Sequence, residues 1–156
     1  MKGRSLLFTL FISLILTTTT GLLTAYAECQ SYQDKVFGNT SGYYLLSCQI
    51  CTSDYDQFNF DCNLTYYNYS DDPGMYMSGT LKVYATYIDS SQYLNITFSS
   101  HGEDPIQVFV QGQIYQVFFD NIFVETVNGA VTQAGGYLII DGISYPFTPD
   151  LLGVVF

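Results

Sequence analysis

Positively charged side chains are scarce in this chain of 156 residues, which has four lysines and arginines against fourteen aspartates and glutamates. Two of the four, Lys2 and Arg4, lie at the extreme N-terminus. Nucleic acids and anionic membrane surfaces are bound mainly through lysine and arginine, so the composition argues against both as partners. Phosphate and carboxylate substrates would also lack the arginine clamps that usually hold them.

Histidine is represented by His101 alone, and the nucleophile motif G-x-S-x-G is absent. A Ser-His-Asp arrangement of His101 with Ser99 or Ser100 and Asp104 would still lack the strained turn and oxyanion hole that serine enzymes need. We therefore interpret His101 as an exposed turn residue and predict no catalytic residues. The alternative is a glycosidase-like hydrolase that uses a pair of carboxylates, for example Glu103 or Asp104 with a second acid.

A long apolar run occurs only once in the sequence, as "LLFTLFISLIL" over residues 6–16. It follows Lys2 and Arg4 and precedes the small-residue site that ends at Ala27. As a helix it would rise about 16 Å, roughly half of a bilayer core, so a membrane span is disfavoured. The pattern is typical of a secretory signal peptide that is cleaved after Ala27.

Cleavage defines the predicted domain organisation. Residues 1–27 form the signal peptide and residues 28–156 a single secreted β domain, in the extracellular space or a bacterial periplasm. This domain comprises a cysteine-rich segment, 28–78, and a segment of antiparallel strands, 79–156. It retains two lysines against fourteen carboxylates, a formal charge of −12. That charge suits a cationic partner, a neutral glycan or a divalent cation, and it also keeps a tyrosine-rich surface soluble.

The four cysteines are Cys29, Cys48, Cys51 and Cys62. An even number in a secreted chain predicts two disulfides. A zinc site would need two closely spaced pairs, and a thioredoxin-like site would need a helix after Cys51, where the acidic stretch "TSDYDQFNFD" follows instead. A bridge between Cys48 and Cys51 would close a very small loop, so we predict that each of them pairs with Cys29 or Cys62. Which of the two pairings forms stays open.

Two further groups of side chains are candidate sites. The oxygen-bearing residues Asp54, Asp56, Asn59 and Asp61 could bind structural calcium, but the EF-hand pattern fails at Phe58, so we predict no cofactor and no metal. Asn-x-Ser/Thr sequons predict glycosylation in a secreted chain. They occur at Asn39, Asn63, Asn68 and Asn95.

The sequence predicts an all-β fold, an antiparallel sandwich or small barrel of about seven to nine strands with an N-terminal part stapled by two disulfides. "GTLKVYATYI" and "QYLNITFSS" alternate apolar and polar residues, as half-buried strands do. Turn signals recur every eight to twelve residues. We expect turns at Asp120-Asn121, Asn128-Gly129 and Asp141-Gly142, a break at Gly135-Gly136, and a hairpin or one bent strand around Gln111-Gly112.

Tyrosine is unusually frequent, with fifteen residues. Tyrosine rings cover much area at low entropy cost and are favoured at recognition surfaces, although strand tyrosines also fill core edges. The candidate binding surface consists of Tyr43, Tyr44, Tyr66, Tyr67, Tyr69 and Tyr76. We therefore expect a secreted, non-catalytic domain that recognises a glycan or an extracellular protein through a tyrosine-rich β surface. A structural coat or matrix component is a further alternative.

Overall fold

The computed structural model describes residues 29–54, 56–100 and 104–148. The predicted signal peptide, His101 and Glu103 lie outside these residues. Within them there is no helix, and hence none that could cross a membrane. These residues form nine antiparallel strands in one sheet, which confirms the predicted all-β class at the upper end of the predicted strand number. The strands are β1 (Cys29–Phe37), β2 (Ser41–Asp54), β3 (Gln57–Ser70), β4 (Met75–Ile88), β5 (Tyr93–Ser100), β6 (Ile106–Val110), β7 (Gln113–Val127), β8 (Ala130–Ile140) and β9 (Ile143–Pro146).

Eight of the strands follow one another across the sheet in the order β1-β2-β3-β4-β5-β7-β8-β9. Strand β6 lies off this path and pairs with Met75–Ser78 of β4 and Gln113–Val117 of β7. Because β5 pairs with the other halves of the same two strands, β5 and β6 occupy one position of the sheet end to end. Among the described residues, β1 and β9 each pair with a single neighbour and form the two edges.

The core lies on one face of the sheet, here called the inner face. Directly opposed residues of antiparallel strands share a face, and the row Cys48, Cys62, Val83 and Phe98 runs across four strands. Side chains two residues along each strand join this face, and Phe60, Leu64 and Ile106 are among the most deeply buried residues. The predicted alternation in β4 is confirmed, since Leu81, Val83 and Ala85 are buried.

Tight turns connect the strands of the C-terminal half. Asn128 and Gly129 have φ angles of 52° and 76°, and Asp141 and Gly142 have φ angles of 48° and 82°. Two successive positive φ values define the type I′ turn, whose twist matches that of the flanking strands. Gln111 and Gly112 have the same pattern, at 50° and 87°, so the predicted hairpin rather than a bent strand forms there.

The predicted turn at Asp120-Asn121 and the predicted break at Gly135-Gly136 are wrong. Strand β7 continues through the first, and β8 continues through the second. At this place two residues of β7 oppose one residue of β8, which makes a β-bulge. Asn121 has a φ of 49°, and Gly136 has a φ of 98°. A Cβ on Gly136 would overlap the Asn121 carbonyl oxygen, so glycine permits this close approach of the two backbones.

Candidate functional site

The two disulfides join Cys29 to Cys51 and Cys48 to Cys62. This confirms the prediction of two structural disulfides and decides between the two pairings that the sequence leaves open. Each bridge links directly opposed residues of neighbouring strands. Because side chains alternate along β2, its two cysteines face opposite sides of the sheet. Cys48 and Cys62 are buried in the core, whereas the other bridge lies on the outer face, where Cys29 is exposed.

Side-chain alternation separates the six candidate tyrosines, except that an irregularity of β3 at Asn68, where φ is 47°, brings Tyr69 to the same face as Tyr66. Tyr44, Tyr66 and Tyr69 are buried on the inner face and belong to the core. Tyr43 and Tyr67 oppose each other on the outer face, and Tyr76 packs beside Phe109 with ring centroids 5.8 Å apart. The structure therefore divides the predicted surface and leaves only part of it open to a ligand.

The three core tyrosines form a cluster in which ring centroids lie between 5.2 and 5.8 Å apart. The Tyr69 hydroxyl donates a hydrogen bond of 2.6 Å to Asp71 Oδ2. Burial raises the pKa of the Tyr44, Tyr66 and Tyr69 hydroxyls, and the hydrogen bond to Asp71 raises the pKa of Tyr69 further. These rings stay neutral and apolar, which suits packing rather than ligand binding.

On the outer face, an aromatic platform extends over β1, β2 and β3. It consists of Phe37, Tyr43 and Tyr67, whose successive ring centroids are 6.1 and 4.9 Å apart. Tyr43 and Tyr67 are stacked, and the Lys35 ammonium lies 3.8 Å from the Tyr43 ring centroid and 5.0 Å from that of Phe37. Such cation–π contacts fix ring orientation at a modest energetic gain. Phe37 is 69% exposed and Tyr67 44% exposed, so the platform opens to solvent at both ends.

Phe37 was absent from the residues that the sequence singles out. Its only signal is an aromatic side chain immediately before Gly38, at the end of a short strand. Which face such a residue occupies depends on its register with β2, and that register places Phe37 directly opposite Tyr43. Sequence alone does not contain this pairing.

Polar side chains continue the outer face beside the platform. Thr65 and Thr80 oppose each other, and their hydroxyls are 3.1 Å apart. In the next row Asn63 opposes Lys82, and Lys82 forms an ion pair of 3.7 Å with Asp61. The Oδ1 atom of Asn63 is buried and has no hydrogen-bond partner within the described part of the chain. Hydroxyl, amide and carboxylate groups thus adjoin the aromatic surface.

The asparagines of the four sequons differ in solvent exposure and in the hydrogen bonds of their side chains. Asn39 is exposed and its side chain makes no hydrogen bond with the rest of the described chain, while Asn68 is exposed and accepts a hydrogen bond from Ser78. Asn63 and Asn95 are half-buried, and the Asn95 amide donates to Glu125 Oε1 at 2.9 Å. The two freer asparagines follow Phe37 and Tyr67 closely in the chain, so they flank the aromatic platform.

The oxygen-bearing residues considered for calcium enter separate contacts. Asp56 accepts a hydrogen bond from Ser90, Asn59 Oδ1 accepts one from Thr86, and Asp61 pairs with Lys82. The side chain of Asp54 lies outside the described part. In residues 29–54, 56–100 and 104–148, no three histidine, cysteine, aspartate or glutamate side chains form a group that could hold a metal ion.

The serines considered for catalysis lie on β5. Ser100 accepts a hydrogen bond of 2.8 Å from the backbone N–H of Phe119, and both Ser99 and Ser100 are half-buried. This contact ties Ser100 to the start of the bulged region of β7.

Comparison of the chain with protein-family models, curated proteins and solved structures found no match.

Proposed function

We propose that this chain is a secreted, non-catalytic domain that binds glycans through the aromatic platform on its outer face. The observation that supports this most directly is the row of three contacting rings, two of them well exposed, on neighbouring strands. Exposed apolar groups that adjoin one another mark interaction sites more often than isolated ones do. The apolar C–H face of a sugar ring packs against exposed aromatic rings, here Phe37 and Tyr67 at the two ends of the row, while its hydroxyls need polar partners beside them.

The platform is organised before any ligand arrives. Tyr43 is held between Lys35 on the side of β1 and Tyr67 on the side of β3, and Cys29–Cys51 covalently ties β1 to β2. Groups that are already ordered lose little side-chain entropy on binding, which favours affinity. The adjoining Thr65, Thr80 and Asn63 offer hydroxyl and amide groups to sugar hydroxyls.

A glycan fits these residues better than a protein partner does. Protein interfaces usually bury an apolar centre inside a polar rim, whereas here rings and polar groups lie side by side on an open face. The formal charge of −12 on residues 28–156 disfavours acidic polysaccharides. Neutral glycans are therefore the class we propose.

Export and glycosylation belong to the same proposal. The N-terminal pattern of a signal peptide and the two disulfides both support an oxidising compartment. Of the four sequons, exposure of Asn39 and Asn68 favours these two as the occupied sites. Mass spectrometry of the secreted product would test cleavage after Ala27 and the occupancy of each asparagine.

Binding of the purified chain to an array of neutral glycans tests the function. We expect Phe37→Ala and Tyr67→Ala each to weaken binding at least about tenfold, a loss of 1.4 kcal/mol or more. Tyr84→Ala is the matched control, because Tyr84 is also on the outer face and 50% exposed but lies outside the platform. The proposal fails if no glycan binds, if the control reduces binding equally, or if a pull-down recovers a protein partner through the same rings instead.

A further inference from the structure

Strand β1 is a long edge of the sheet, and no second strand of residues 29–54, 56–100 or 104–148 pairs with it. It has nine residues and contains neither proline nor glycine. The opposite edge, β9, has four residues and ends at Pro146. Short strands, prolines and charged side chains are common devices that prevent sheet edges from pairing with other chains. Strand β9 has the first two, whereas β1 has only the charged residues Asp34 and Lys35. The two edges are thus protected to different degrees.

The disulfide geometry identifies which backbone groups of β1 face outward. In an antiparallel pair, closely spaced opposed residues do not exchange hydrogen bonds, whereas the next pair along does. The Cα atoms of Cys29 and Cys51 are 4.1 Å apart, so they form a pair without hydrogen bonds. Because the two kinds of pair alternate along the strand, the N–H and C=O groups that point away from β2 belong to every second residue of β1. These residues are Cys29, Ser31, Gln33, Lys35 and Phe37.

Two hydrogen bonds agree with this assignment. The N–H of Gly38, an even-numbered position, donates to the Gly42 carbonyl across the hairpin. The N–H of Lys35, an odd-numbered position, instead donates to the carboxylate of Asp34 at 2.7 Å. The same carboxylate accepts a hydrogen bond of 3.1 Å from the Tyr32 hydroxyl. Asp34 therefore covers one outward N–H of an edge that has no further partner strand in the described part of the chain.

We propose that β1 pairs with β1 of a second copy of this chain, antiparallel and centred on Gln33. Only this register pairs all five outward residues, because position 33 is the midpoint of the strand. Moving the centre from Gln33 to Asp34, which shifts the pairing by two residues, would oppose the two Asp34 carboxylates. Moving it by the same amount in the other direction would leave Phe37 unpaired. In the proposed register Asp34 opposes Tyr32 of the second copy, and Lys35 opposes Ser31.

The charges along β1 are compatible with this register, whereas the formal charge of −12 on residues 28–156 of each copy opposes association and weakens it most at low ionic strength. Like charges do not oppose each other, and Asp34 can exchange its hydrogen bond with Tyr32 in its own chain for one with Tyr32 of the second copy. Lys35 N–H is then released to the ladder between the two copies. Up to about ten backbone hydrogen bonds form over the five outward residues of each copy. A dimer held by one strand pair has little buried area, so we expect weak, concentration-dependent association.

Such a dimer would place two aromatic platforms on one surface. A two-fold axis perpendicular to the sheet keeps the outer faces of both copies on the same side. If the platforms bind glycans as proposed above, two linked sites would bind a repeating polymer more tightly than one site does. The strand pairing itself does not depend on that function.

Sedimentation of the full secreted chain over a range of concentrations tests the pairing. We expect a monomer–dimer equilibrium, and Gln33→Pro should lower the association constant at least about tenfold. Proline removes an N–H that does not bond to β2, so the fold should survive, and circular dichroism with thermal unfolding checks that it does. Gln33→Ala keeps the N–H and is the matched control, expected to associate like the wild type.

Cysteine cross-linking tests the register. Gln33→Cys places two thiols opposite each other across the two-fold axis and should give a covalent dimer on mild oxidation. Ser31→Cys should not, because its counterpart opposes Lys35 instead. A chain that is monomeric at all concentrations, equal association of Gln33→Pro and wild type, or cross-linking of Ser31→Cys as efficient as that of Gln33→Cys would each overturn the proposal. None of these readouts involves a glycan, so the pairing and the binding function fail independently.

Discussion

The two ends of the sheet fix the pairing of their strands by different means. Strands β1–β3 are joined by two disulfides between directly opposed residues. Strands β7–β9 have no cross-link and depend on the type I′ turns at Asn128-Gly129 and Asp141-Gly142 and on the bulge opposite Gly136. A one-residue slip would turn every side chain to the wrong face. Register can therefore be fixed covalently or by backbone conformation at a few positions.

The cross-linked end is also where the aromatic platform and the core tyrosines lie back to back on β2 and β3. Neighbouring residues Tyr43 and Tyr44 point to opposite faces, one toward solvent and one into the core. A fixed register keeps the first on the outer face and the second buried in the core. The cross-links thus protect the proposed binding surface as well as stability.

Among the changes that test this difference between the two ends of the sheet, removal of the buried disulfide should lower the free energy of unfolding most. We expect Cys48→Ala with Cys62→Ala to lower the free energy of unfolding by about 3 to 5 kcal/mol, measured by urea denaturation. Cys29→Ala with Cys51→Ala should cost about 2 kcal/mol. The sequence separations are 14 and 22 residues, and loop entropy alone would favour the longer loop by less than about 0.5 kcal/mol. An equal or larger loss of stability on removal of Cys29–Cys51 would show that core packing does not decide which disulfide stabilises the protein more.

Stepwise reduction gives a second measure of the same difference. A dithiol reductant should open Cys29–Cys51 before Cys48–Cys62, because a thiolate can reach the exposed sulfurs first. Alkylation followed by mass spectrometry would identify which cysteines are freed. Simultaneous alkylation of all four cysteines would contradict the expected order.

At the other end of the sheet, Gly136→Ala should lower the free energy of unfolding by about 2 to 3 kcal/mol. The new Cβ would need a strained φ and would also collide with the backbone of the bulge. Gly129→Ala is the matched control, because its φ is 76° but a Cβ there meets nothing within 4 Å. Strain alone should cost about 1 kcal/mol. Equal losses in thermal unfolding would mean that the close approach at the bulge contributes nothing.

A smaller effect is expected in the core tyrosine cluster. Tyr69→Phe removes the hydroxyl that donates to Asp71 and should cost about 1 to 2 kcal/mol, since hydrogen bonds to charged groups exceed neutral ones. Tyr67→Phe removes a hydroxyl from the exposed platform and should change the free energy of unfolding by less than about 0.5 kcal/mol. A larger loss for Tyr67→Phe would reverse the assignment of the two faces.

Alkaline pH should reveal the same cluster without mutation. The pKa of Tyr66 in the folded chain is raised by burial above the ordinary value of 10.0. As pH rises past 10.0, the Tyr66 hydroxyl loses its proton in the unfolded chain before it does so in the folded chain. The contribution of the buried, neutral Tyr66 to the free energy of unfolding is therefore present below this pH and is lost as pH rises above it. Tyrosinate absorbance should therefore reach its full value only when the protein unfolds. Complete titration with the sheet still intact would contradict this prediction.

Much of the fold could be predicted from local sequence patterns. Alternation in β4 and β5 and the Asn-Gly and Asp-Gly pairs correctly indicate strands and turns. The same reasoning misread Asp120-Asn121, because an asparagine with positive φ serves in a bulge as well as in a turn. The residue that makes this place a bulge rather than a turn is Gly136, which lies on the neighbouring strand β8, fifteen residues away in the chain.

The candidate site was predictable only in part. The sequence pointed to tyrosines of the cysteine-rich segment, and Tyr43 and Tyr67 do lie on the exposed face. It did not separate them from Tyr44, Tyr66 and Tyr69, and it missed Phe37. Side-chain alternation assigns residues to two faces within a strand, but only pairing between strands decides which face becomes the core.

The sequence by itself determined the strand-rich composition, the need for two disulfides and the positions of the main hairpin turns, since these follow from contacts between residues close in the chain. Only the tertiary structure decided which cysteines pair, which rings reach solvent and which backbone groups of β1 remain open. Those features depend on the register of strands that are distant in sequence, and the free energy that selects a register comes from burying one face of the whole sheet.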